Sequence, residues 1–177
     1  MNRNFRLLVL LGLMMTSELF VATSFANTSA NKAVASTTVA TLSSELKVFL
    51  VSKDAQGNES LVPTTSAAPG AVLEYQAIYK NNSKNALKEL EFDLPIPNGT
   101  ELIKDTTFPK KAKASTMVGG TLFADIPLSK VVKDAQNKDK VVMLPMSDYK
   151  ILRWSSAELA AGQTMLVKAR VTVIYKN

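Results

Sequence analysis

Between Val72 and Lys80 the side chains alternate. Leu73, Tyr75, Ala77 and Tyr79 fall on one side, and Glu74, Gln76 and Lys80 on the other. A period of two is what a half-buried strand requires, because successive side chains point to opposite faces of a sheet. The pattern returns with Leu90, Phe92 and Leu94 set against Glu89, Glu91 and Asp93, and it ends at Pro95 and Pro97, where proline cannot donate to a ladder. It is clearest near the C-terminus, where Val167, Ala169, Val171 and Val173 are expected inward and Lys168, Arg170 and Thr172 outward. Upstream, the β-prone run Leu46 to Val51 stops at the turn residues Asp54, Gly57 and Asn58, and Leu61-Val62 returns before Pro63.

Further turns are expected at Ala68-Pro69-Gly70, Asn81-Asn82-Ser83 and Asn98-Gly99, with Glu101-Leu102-Ile103 after the last. Gly119-Gly120 leads into Thr121-Leu122-Phe123-Ala124, and residues 109–118 read as loop. Val131-Val132 and Val141-Val142-Met143-Leu144, separated by Asp134-Ala135-Gln136-Asn137, predict a hairpin. Tyr149 to Trp154 predicts a strand with Leu152 and Trp154 on one face. Ser155-Ser156-Ala157-Glu158 then has capping-box spacing, with Gly162 limiting any helix to a single turn. Many short strands and no long helical period predict an all-β chain, an antiparallel sandwich.

The first residues follow a different rule. Arg3 and Arg6 precede the uncharged run Leu7 to Met15, and Ser24-Phe25-Ala26 places small residues at −3 and −1 of a cut before Asn27, the pattern of a secretory signal peptide. Glu18 interrupts the run well short of the ~20 apolar residues a span needs, and no second run of that length follows. The expected organisation is a signal peptide over 1–26, a flexible Thr/Ser/Ala/Asn leader over 27–44 and one sandwich domain over 45–177. The mature chain of about 150 residues is long enough to bury roughly 68–70% of its unfolded surface in one core. The expected location is outside the cytoplasm, in the periplasm or at the cell surface, with no membrane span after cleavage.

Composition removes much chemistry. The chain has no histidine and no cysteine, so a Ser-His-Asp triad, a thiolate nucleophile and the usual zinc and iron–sulfur sites are all excluded. Without disulfides, stability rests on the hydrophobic core. The net charge is +6. Lys104, Lys110, Lys111 and Lys113 gather around Phe108-Pro109; they suit a weak contact with anionic polymers or lipid headgroups, but Glu91, Glu101 and Asp105 dilute their field and a solvated loop is the favoured reading. No stacking aromatics interleave with these lysines, which argues against nucleic acid.

With these elements in place, the ordered series Pro69-Gly70-Ala71-Val72-Leu73-Glu74-Tyr75, Asn82-Ser83, Leu90 to Pro95 and Gly99-Thr100-Glu101-Leu102 resembles the bacterial surface repeat called domain of unknown function eleven. Phe123, Pro127, Asp148-Tyr149, Arg153-Trp154, Leu159 and Ala161-Gly162 extend the likeness, so that it covers roughly residues 45–175 in a single copy. Ala71 stands where that family usually has Asp, and Asn82-Ser83 where it has Asn-Thr-Gly. The resemblance implies an immunoglobulin-like antiparallel sandwich of about seven to nine strands in an exported protein, and it carries no catalytic residues over.

The remaining candidates for chemistry are weak. Ser29/Lys32, Ser44/Lys47 and Ser147/Lys150 have Ser-x-x-Lys spacing, but in a strand residues three apart face opposite sides. Glu89, Glu91 and Asp93 on alternate positions form a wet face rather than the paired acids of a cleft. Asp54, Asn58 and Glu59, or Asp134, Asn137 and Asp139, offer oxygen ligands for calcium, yet the same residues suit hairpin turns. Trp154 could anchor a sugar if exposed; in a core-facing position it is packing, as are Tyr75 and Tyr79. No catalytic, metal or cofactor residue is assigned and no cofactor is expected. The functional expectation is a non-catalytic envelope module contacting an unknown envelope protein or polymer. Its alternatives are a filament or fimbrial-type subunit whose leader donates a strand and, third, a Ser-Lys or carboxylate hydrolase.

Overall fold

A computed structural model describes residues 41–119 and 122–174. The expected signal peptide, most of the leader and Ser29/Lys32 lie outside the described residues. Eleven strands follow in order among those described: β1 (Leu42–Lys53), β2 (Glu59–Pro63), β3 (Val72–Asn81), β4 (Leu87–Pro95), β5 (Thr100–Leu102), β6 (Lys113–Ser115), β7 (Ala124–Asp125), β8 (Ser129–Lys133), β9 (Asp139–Met143), β10 (Ile151–Leu159) and β11 (Thr164–Val173). A 3₁₀ turn, Met146–Asp148, precedes β10. One sheet has the order β2-β1-β3-β11-β5 and the other β4-β10-β6-β7, while β8 and β9 pair only with each other. Every pairing is antiparallel. This is the expected sandwich, with nine strands in its two sheets and a separate two-stranded hairpin.

The inward stripes read from the sequence meet in one core. Leu73, Tyr75 and Ala77 of β3, Val167, Ala169, Val171 and Val173 of β11, Phe92 and Leu94 of β4, and Leu152 and Trp154 of β10 are all buried together. The chain crosses between layers as it passes from β3 to β4 and from β10 to β11, so consecutive strands face one another across the core. Tyr79 packs against Phe92 across this seam, with ring centroids 4.9 Å apart. Its hydroxyl donates to the Asp93 carbonyl and accepts from the Asp93 amide.

Three expectations are corrected. Strand β1 is already paired with β3 at Leu42↔Asn81, ahead of the expected start near Glu45. The interval read as loop over 109–118 contains β6, which is held by pairing Ile151↔Ser115 and Leu152↔Ala114. The capping-box residues Ser155 to Glu158 are strand, since β10 runs unbroken to Leu159 against β4. Long-range pairing overrides the local helix signal there, and the Ser156 hydroxyl donates to the Glu158 carbonyl instead of capping a helix.

Candidate functional site

Most of the described residues singled out for chemistry are tied into local hydrogen bonds and ion pairs. In the Asp54–Asn58 turn, the Asp54 carboxylate accepts from the amides of Gln56 and Asn58 and from the Asn58 side chain at 2.8–2.9 Å. These bonds, the Asn58 side chain foremost, hold its pKa below the ordinary 3.8. Asp134 accepts in the same way from the amides of Gln136 and Lys138, and Asp139 pairs with Lys133 at 2.6 Å. No group of three or more Asp or Glu side chains placed to hold a metal ion occurs among the described residues. Ser147 lies in the 3₁₀ turn rather than in a strand, yet the Lys150 ammonium donates to the Ser147 carbonyl, not to its hydroxyl. Trp154 is 3% exposed, and its indole N–H donates to the Pro109 carbonyl at 2.6 Å. It packs in the core, as expected.

The acidic row of β4 is tied down as well. Arg153 makes a fork to Asp93 at 2.7 and 2.8 Å, reaches Glu91 at 2.6 Å and lies 4.0 Å over the Phe123 ring. Glu74 lies on the expected outward face but is covered there: it is 2% exposed. Arg170 and Gln76 donate to its carboxylate at 2.9 and 2.7 Å, Lys168 approaches at 3.2 Å, and Arg170 also bonds Glu59 at 2.8 Å. Burial by itself would raise the Glu74 pKa; the bonds from Arg170, Gln76 and Lys168 outweigh it and bring the pKa below 4.5. The network closes on itself and presents no vacant acid or base.

Two features among the described residues are placed to act on something outside the fold. The first is the β8–β9 hairpin. Its root is fixed by the buried Leu128, whose amide donates to the fully buried Tyr149 hydroxyl at 2.7 Å and whose carbonyl accepts from the Leu144 amide. Beyond that root the two strands join neither sheet. The register sets Val131 opposite Val141 and Ser129 opposite Met143, so Val131, Val141 and Met143 share a face, and they are 64%, 62% and 61% exposed. The tip is polar, Asp134 to Lys138. Sequence patterning found the hairpin but could not show that it stands outside the sandwich.

The second is the strap of residues 103–112 that crosses from β5 to β6. Phe108 exchanges two 2.8 Å backbone bonds with Lys168 of one sheet, and Pro109 accepts from Trp154 of the other. The Thr106 hydroxyl donates to the Ile103 carbonyl and accepts from the Arg170 amide. Asp105 is held at φ 61°. Beneath this strap lies a cavity of about 380 Å³, bordered by Lys104, Lys110 and Lys111.

No known family, no curated protein and no solved structure matches this chain. No helix among the described residues is long and apolar enough to cross a membrane.

Proposed function

We propose that this chain is an exported, non-catalytic β-sandwich module of the cell envelope, periplasmic or at the cell surface, whose work is to hold a protein or polymer partner. The observation that carries the reading is the β8–β9 hairpin. Large apolar side chains more than 60% exposed on one face of a strand pair, with both outer edges open among the described residues, are what soluble proteins avoid unless the surface is used. The signal-like N-terminus, the absence of histidine and cysteine and the likeness of the residue series to a bacterial surface repeat support the same reading.

The test has two arms. Mass spectrometry of the mature chain from fractionated cells should find an N-terminus at Asn27 in the envelope fraction, and a full-length cytoplasmic chain would dismiss export. Affinity capture from envelope extracts should then recover a specific component with the wild-type chain and lose it with the double variant Val141→Glu, Met143→Glu. Equal recovery by both would remove the hairpin from the account.

A second reading, a filament-type subunit assembled by strand donation, draws on β1. Strand β2 covers it only from Phe49 to Lys53, leaving the outer edge of residues 42–47 without a partner strand among the described residues. Gel filtration showing a monomer with and without the leader would dismiss that reading.

A further inference from the structure

We propose that the cavity under the 103–112 strap is a binding site for a phosphate group. This site is separate from the hairpin, so either can fail without the other.

The charges favour an anion. Lys104, Lys110 and Lys111 border the cavity against two carboxylates, Asp105 and Asp125. Asp125 sits directly across from Lys113 in the β6–β7 pairing, which offsets part of its charge. The Lys110 ammonium donates to the Asp105 backbone carbonyl at 2.9 Å, which fixes it across the loop. Lys104 and Lys111 make no ion pair among the described residues, so two ammonium groups are available at the rim.

The chemistry of the rim suits a phosphate. Ammonium groups are point charges that serve phosphate well. Leu102, Ala112 and Ile126 supply apolar lining beside Thr107 and the charged residues, and partial enclosure strengthens charge interactions and reduces their screening by salt.

The loop is also preorganised. A non-glycine residue at φ 61° persists only where its surroundings determine it. Here the bonds of Thr106, Phe108 and Pro109 to both sheets do so. A rim already fixed avoids the ordering cost that weakens binding by mobile loops.

Isothermal titration of the mature chain with inorganic phosphate and with glycerol 1-phosphate, at constant ionic strength, tests the proposal. Saturable binding is expected, weakened about tenfold or more by Lys104→Gln with Lys111→Gln. The pair Lys138→Gln with Lys140→Gln removes the same charge from the hairpin and should leave affinity within about twofold. These four lysines are exposed, and unchanged circular dichroism of both variants verifies the fold. Competition by phosphatidylglycerol vesicles, but not by phosphatidylcholine vesicles, assigns the phosphate to a lipid headgroup. Absence of competition assigns it to a free or polymer-borne phosphate. No saturable binding of the small phosphates, or equal loss in the two lysine pairs, overturns the proposal.

Discussion

At the scale of single residues, the sandwich is defined as much by buried polar groups as by its apolar stripes. Asn81 is fully buried at the end of β3. Its side-chain amide donates among the carbonyls of Asn85, Leu159 and Ala160 while its oxygen accepts from Ser83, so one residue binds the β3–β4 turn to the end of β10. Among the described residues no buried side-chain nitrogen or oxygen lacks a partner, as a well-packed core requires. Glu74 tests this most sharply. Its pKa lies below 4.5 in the fold, so the unfolded chain binds more protons as pH falls. The stabilisation is complete above about pH 4.5 and is lost as pH drops through the folded value. Urea midpoints measured from pH 7 down to pH 3 should fall on the acid side in the wild type. Glu74→Gln should flatten that dependence and, because Arg170 and Lys168 keep some access to water, lower stability at pH 7 by roughly 1–3 kcal/mol. Alternation placed Glu74 on the outward side correctly. It could not show that cations from a strand 96 residues away in sequence would cover it.

At the scale of elements, the strands most fully read in advance were the long ones whose alternation is continuous. Strands β3 and β11 answer each other residue by residue from Val72 to Lys80. Where a short strand depends on a distant partner, local pattern fails. Strand β6 is three residues long and is defined only by β10 and β7, and Ser155 to Glu158 took the strand form because β4 lies alongside. The hairpin is the converse case. Its pattern was plain, but a pair of strands alone is marginally stable in water, and it holds its position through the root at Leu128 and Tyr149. Tyr149→Phe removes the acceptor for the Leu128 amide and leaves a buried donor unmet, a loss of roughly 1–3 kcal/mol. Hydrogen exchange should then quicken in residues 128–144 well before the β3–β11 ladder is affected. Uniform quickening throughout the chain would show instead that the hairpin opens only with the whole fold.

At the scale of the molecule, the core accounts for the fold and two surface features account for what the fold could do. The candidate catalytic residues of the sequence, the Ser-x-x-Lys pairs and the acidic row, were recognisable only as residue types. At Ser147/Lys150 the ammonium meets the carbonyl of Ser147 rather than its hydroxyl, and Arg153 engaged two members of the acidic row. The lysine cluster, by contrast, was visible from spacing alone, while the cavity behind it depends on Ile126 and Asp125, which reach it from beyond β6. The hairpin's exposed valines were legible as strand residues and not as surface, because a period of two does not reveal which face is left uncovered. The proposed partner-holding role therefore rests on that face. Site-specific photocrosslinking in living cells, with the reactive group at position 141 and a control at the exposed Glu101 of edge strand β5, tests it most directly. A discrete adduct from position 141 that is absent from position 101 is the expected result. No adduct at 141, or the same adducts from both positions, would contradict the reading of this hairpin as the working surface.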